Sequence, residues 1–188
     1  MKTKMNVWDV RAQDFPAKAI NIEKISYLLS YAILAPSAHN IQPWQCRISE
    51  DGVEIHRHPT RLLDISDPTR RQVTISLGAF VCNLVTAANA YGIKSVINFL
   101  DSGDEGQAVA VVKLSGLESS RFEPKTNQNL ENIVRRRVNR GEYNPKKINQ
   151  LLLGKVLELN ADPDLQICLE SDADSIDKLA QVVEVGTR

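Results

Sequence analysis

The chain has 188 residues, enough for one domain or for one domain and the beginning of another, and 43% of them are hydrophobic, which supports a packed core. Its 23 basic and 23 acidic residues cancel, so composition leaves no footprint for nucleic acid or an anionic membrane surface, and neither partner is expected. No apolar run approaches the roughly 20 residues of a bilayer span, the stretch from Met1 to Asp14 lacks a secretion signal's apolar centre, and three scattered cysteines suggest reduced thiols in the cytoplasm, with neither a disulfide framework nor a zinc knuckle.

The first clear element is a helix over 22–35, where Ile22, Ile25, Leu28, Leu29, Ala32 and Ile33 recur at helical spacing. Asn21 is placed to cap it and Pro36 to end it. After a loop from Pro36 to Pro43, Trp44, Cys46 and Ile48 alternate with polar residues, Asp51-Gly52 signals a turn, and 53–58 reads as the returning strand of a hairpin. A long helix follows, with Asp67 as N-cap, Pro68 as first helical residue and Gly92 at its C-terminal end. Its apolar stripe (Leu77, Phe80, Val81, Leu84, Val85, Ala88) and small residues elsewhere suit a buried central helix. Two apolar segments, 95–100 and 108–114, read as strands joined by a polar turn over 101–106, in a sheet covered on both faces. Beyond a polar connection over 115–129 come a short helix through Ile133 and Val134, an arginine cluster, a helix from Asn144-Pro145, a strand over 165–169 and a last helix from about Asp174. The apolar residues of that last helix, Leu179, Val182, Val183 and Val185, call for a covering element, which suggests a truncated chain; alternatively the helix packs last.

The stretch Ala35-Pro36-Ser37-Ala38-His39-Asn40-Ile41-Gln42-Pro43-Trp44 is restricted by proline at both ends. Its carboxamides each offer a donor beside an acceptor, the complement of a flavin's pyrimidine edge. A rigid loop that satisfies its own backbone fits the same residues. In the run Arg135-Arg136-Arg137-Val138-Asn139-Arg140, guanidinium groups could pair bidentately with a phosphate, or the run could be a solvated helix end.

The loop resembles the serine-asparagine-glutamine-proline-tryptophan signature of nitroreductase-family flavoproteins, with Pro36, Ser37, Asn40, Gln42, Pro43 and Trp44 matching. The helix from Pro68 to Gly92 resembles that family's long interface helix. Arg136, Arg137 and Arg140 fall on the arginines of the family's arginine-arginine-serine-x-arginine motif, although Val138 stands where the hydroxyl residue belongs. In single-domain members the arginine motif precedes the loop. Here it follows by about a hundred residues, an order that resembles a divergent branch with two fused units, the first over 1–117 and a second, incomplete one over 118–188. The resemblance implies an α+β, nitroreductase-like fold: a mixed, mostly antiparallel sheet packed against helices, with a long buried central helix. It further implies FMN as cofactor, held by Pro36, Ser37, His39, Asn40, Gln42, Arg136, Arg137 and Arg140, and a homodimer or an intramolecular pseudo-dimer.

Other candidates are weaker. Arg70 and Arg71, at the start of the long helix, could meet a phosphate, but pairing with Asp64 or Asp67 accounts for them. His56 and His58 share a strand face with Glu54 and lack a further ligand set, so no metal is expected. Cys46 and Cys82, among apolar neighbours, read as core residues. No Rossmann fingerprint, P-loop or serine-hydrolase elbow is present. The function these features imply is an FMN-dependent oxidoreductase that passes electrons from NAD(P)H to a nitroaromatic, quinone or similar acceptor. No catalytic acid, base or nucleophile is assigned, because the flavin carries the chemistry. The alternative is a protein that stores or sequesters FMN with little turnover. A third possibility, a non-binding chain that docks a partner, would show as an apolar surface on the final helix.

Overall fold

The computed structural model describes residues 7–100, 107–118, 128–139, 141–142, 144, 146, 148–158, 163 and 165–186. The polar turn expected over 101–106 lies outside them, as do Arg140 and Pro145. The chain divides into two compact units, 1–138 and 139–188.

The first unit is a two-layer α+β structure. A four-stranded antiparallel sheet in the order β1-β2-β4-β3 is built from β1 (Trp44–Ser49), β2 (Gly52–Arg57), β3 (Lys94–Phe99) and β4 (Ala108–Ser115). Register puts Ile48, Val53, Val112 and Ile97 in one row and Cys46, Ile55, Ala110 and Phe99 in the next. This face, alternating with period two, meets helices α1 (Asn21–Ala32) and α2 (Arg71–Ala90). The opposite face carries Arg47, Glu54 and Lys113 in solvent. Helix α3 (Gln128–Arg135) packs on α1 and α2 through buried Leu130 and Ile133. The compact unit therefore takes in α3.

The hairpin β1–β2 forms as its alternation predicts, but Gly52 is there for more than the turn. A Cβ at this position would collide with the Val112 carbonyl oxygen of β4. Asp51 fastens the same corner: its carbonyl accepts the Leu114 N–H and its carboxylate meets Lys113 Nζ at 2.9 Å. That ammonium group is the main reason the Asp51 carboxyl titrates below its ordinary range.

Both helix starts differ from the sequence reading. Ile20, not Asn21, is the N-cap of α1; the Asn21 side chain instead donates to the Glu50 carbonyl at 3.1 Å. Helix α2 begins at Arg71, after Arg70 turns into the left-handed region at φ 59°. Asp67 still caps it from below, for its two carboxylate oxygens accept the Gln72 and Val73 N–H groups at 3.1 and 3.0 Å. At the other end Gly92 takes φ 70°, with Gly92 N–H on Asn89 O and Ile93 N–H on Ala88 O, a Schellman closure.

Helix α2 also corrects the expectation about membrane spans: by length and composition, Arg71–Ala90 is apolar enough to cross a bilayer, and half of its most apolar stretch is buried inside the protein. Its remaining strip, with Thr74, Ile75, Gly78 and Cys82, is exposed. The sheet, too, is not covered on both faces. Strand β3 is an edge, with Val96 and Phe99 69% and 67% exposed.

The second unit contains α4 (Gln150–Glu158) and α5 (Ala173–Gly186). Helix α4 starts later than Asn144-Pro145, because Asn144 closes a local turn onto the Lys146 N–H and Asn149 takes the Leu151 N–H. Asp172 accepts the Ser175 N–H at the start of α5. Residues 165–169, expected as a strand, form none; a short apolar run becomes a strand only where tertiary context supplies the ladder. On α5, Leu179, Val182 and Val183 are exposed.

Candidate functional site

The loop between α1 and β1 concentrates three of the four positive-φ non-glycine residues among those described. His39, Asn40 and Gln42 have φ of 49°, 55° and 51°, and Arg70 is the remaining non-glycine residue with positive φ among those described. Left-handed backbone costs roughly 1–2 kcal/mol for each residue that carries a Cβ, somewhat less for asparagine, and persists where neighbouring contacts dictate it. Those contacts are visible. Ser37 Oγ accepts the Gln42 N–H at 3.0 Å, Ser37 O accepts the Asn40 N–H at 3.0 Å, and Pro43 O accepts the His58 N–H at 2.9 Å. Ser37 thus braces the loop from within. His39 and Asn40 are exposed, Gln42 is half-buried, and Pro43 and Trp44 enter the core, where Trp44 packs on Phe80 with 5.0 Å between ring centroids.

The arginine cluster reaches this loop from a distance in sequence. Helix α1 ends by leaving carbonyls without helical partners, and two side chains supply donors. Asn83 Nδ2 on α2 donates to Tyr31 O at 3.2 Å, and Arg136 Nη2 donates to Leu34 O at 3.0 Å across 102 residues. Arg136 Nε is buried and makes no hydrogen bond among the described residues. Arg137 Nη1 donates to Val134 O and Arg136 O at 2.8 and 2.7 Å, the carbonyls around the C-terminal end of α3. Arg135, the first of the run, pairs with Glu131 one helical turn back at 3.6 Å. The structure therefore brings Arg136 to the turn that opens the loop, with Arg137 beside it.

One contributor went unread in the sequence. Trp8 lies over both guanidinium groups, with its ring centroid 4.3 Å from Arg137 Cζ and 6.0 Å from Arg136 Cζ. A tryptophan in a polar N-terminal stretch carries no periodic signal, so only the tertiary structure reveals it.

The other candidates fall elsewhere. Arg70 pairs with Asp64 at 2.6 Å, as its neighbours suggested. His56 Nε2 is 3.4 Å from Glu54, and among the described residues no group of three His, Cys, Asp or Glu residues could hold a metal. Cys46 is partly buried against the core, whereas Cys82, expected inside, is exposed on the open strip of α2. A cleft of about 400 Å³ between α2 and the edge of the sheet, lined by Leu77, Gly78, Val81 and Phe99 among others, contains no residue of the loop or the arginine cluster.

No family model matches the chain. Over 76 residues, 40% of its length, it is 32% identical to two curated proteins of Mycobacterium tuberculosis, from strains CDC 1551 / Oshkosh and H37Rv, each named "Putative NAD(P)H nitroreductase". The matched stretch spans 22% of the length of those relatives.

Proposed function

We propose that the protein is a cytoplasmic FMN-dependent oxidoreductase of nitroreductase type, which takes electrons from NAD(P)H and passes them to a nitroaromatic, quinone or similar acceptor. The observation that carries this reading is the bond from Arg136 to Leu34 O, which ties the arginine cluster to the opening of the strained Ser37–Gln42 loop. The names of the mycobacterial relatives point the same way. The donor set suits FMN: the carboxamides of Asn40 and Gln42 can each give and accept a hydrogen bond, and Arg136 retains a buried N–H donor without a partner among the described residues. In this reading Pro36, Ser37 and His39 shape the loop, Asn40 and Gln42 meet the pyrimidine edge, and Arg136 and Arg137 hold the phosphate. Bound FMN supplies the two-electron redox chemistry; the chain supplies position and charge. Assembly as a homodimer or an intramolecular pseudo-dimer belongs to the same proposal.

The purified full chain, mixed with FMN and desalted, is expected to keep the flavin's visible absorbance. Asn40→Ala is expected to weaken retention by about ten-fold, the order of one lost hydrogen bond to the ligand. Bleaching on addition of NADPH supports the oxidoreductase, and retention without bleaching favours sequestration. A folded, colourless protein overturns the flavin reading. The exposed Leu179, Val182 and Val183 on α5 favour one second reading, a chain whose role is to dock a partner through that helix. Co-purification of a stoichiometric partner, lost on Val182→Lys, tests it.

A further inference from the structure

We infer that Trp8 is a positioning residue, and that the N-terminal segment 8–16 is a strap whose indole holds Arg136 and Arg137 ready for a phosphate monoester. The inference rests on the flavin reading above for the identity of the ligand, but not for the geometry.

The strap is fixed at several points. Tyr27 donates its hydroxyl hydrogen to Arg11 O, and Tyr91 donates to Ala12 O at 3.2 Å. Phe15 stacks on Tyr91 with 4.4 Å between centroids and meets Tyr27 edge-on at 5.5 Å. Two tyrosines from α1 and the C-terminal end of α2 thus set the path of a segment that has no long helix or strand of its own. Burial pushes the hydroxyls of both tyrosines far above their ordinary titration range, so these contacts persist at any physiological pH.

With the strap fixed, Trp8 is half-buried against the core with its ring over both guanidinium groups. Adjacent arginines repel each other and carry long, mobile side chains. Here carbonyl oxygens anchor each head group, Leu34 O for Arg136 and Val134 O and Arg136 O for Arg137, while the indole face offers its negative quadrupole to both. The rotamer entropy of two arginines is therefore spent on folding and is not charged to ligand binding. A guanidinium held in this way still has N–H groups that its carbonyl partners do not use, in the fork geometry that phosphate oxygens match. The buried Nε of Arg136 is one such donor.

The test compares binding of FMN and of riboflavin, which lacks the phosphate, to the full chain and to Trp8→Ala and Trp8→Phe. Trp8→Ala is expected to weaken FMN about ten-fold, the scale of two cation–π contacts, and to leave riboflavin unchanged. Trp8→Phe, which keeps an aromatic face, is expected to stay within about three-fold of the native protein. Equal loss of FMN and riboflavin in Trp8→Ala would mean that the indole only stabilises the fold, and unchanged FMN affinity would mean that it does nothing for the site; either overturns the proposal. Should the native chain bind no flavin, the flavin reading falls by itself, and inorganic phosphate decides this one through tryptophan emission. Trp44, 8% exposed against Phe80, serves as the constant background. A phosphate-dependent change that disappears in Trp8→Phe and in Arg137→Ala sustains the strap, and an unchanged emission overturns it.

Discussion

Cys46 and Cys82 lie in similar apolar stretches of sequence, yet the fold gives them opposite environments. Cys46 sits on the helix-facing side of β1, and burial pushes its thiol from 9.0 up to about 11, whereas Cys82 is in solvent. The consequence is a pH dependence of known sign. Below 9 the thiol is protonated in both folded and unfolded chains, and its contribution to stability is complete. Between 9 and 11 the unfolded chain loses its proton first, so stability falls as pH rises, by up to the order of 2 kcal/mol. Urea midpoints across that window are expected to fall less steeply for Cys46→Ala than for the native protein. The side chains of the loop were equally legible as types, but their left-handed backbone was not: nothing local in His39 or Gln42 asks for positive φ, and the Ser37 hydroxyl takes the Gln42 N–H from five residues away.

Elements were easier to recognise than their ends. The apolar stripes of α1 and α2 were plain in the sequence, because burial of a face repeats at helical spacing over many residues. The start of α2 was misplaced by three residues, since Asp67-Pro68 is a sound start signal whose carboxylate here acts across the intervening left-handed Arg70. Asp67 is 3% exposed and holds two N–H groups, so Asp67→Ala is expected to cost about 2 kcal/mol by chemical denaturation. Asp67→Asn, which keeps one acceptor oxygen, is expected to recover part of that loss. Strand β3 shows the reverse problem. Its apolar composition suggested cover on both faces, but composition does not say whether a strand lies at the centre or the edge of its sheet.

At the scale of the whole chain the question is where the first compact unit ends. Packing carries that unit to Val138 by way of α3. Leu130 on α3 is 4% exposed, so Leu130→Ala is expected to cost about 2–4 kcal/mol. Leu179 on α5 is 57% exposed, and Leu179→Ala is expected to cost under about 1 kcal/mol. Equal effects in denaturant titrations would refute a core role for α3.

Sequence by itself was sufficient for the α+β class, the hairpin at Asp51-Gly52, the long central helix with its glycine end, and the nomination of the Ser37–Gln42 loop and the arginine run. The hairpin and the helix rest on periodicity and turn chemistry within a short window, and the α+β class on the resemblance that the loop and the arginine run carry. Only the tertiary structure decided that Arg136 ends at Leu34 O, that Trp8 covers Arg136 and Arg137, and that β3 lies open while Cys82 faces water. Those facts depend on which surfaces meet across a hundred residues of chain. Local propensity leaves such meetings undetermined; hydrogen-bond satisfaction and burial select among them once the core has assembled.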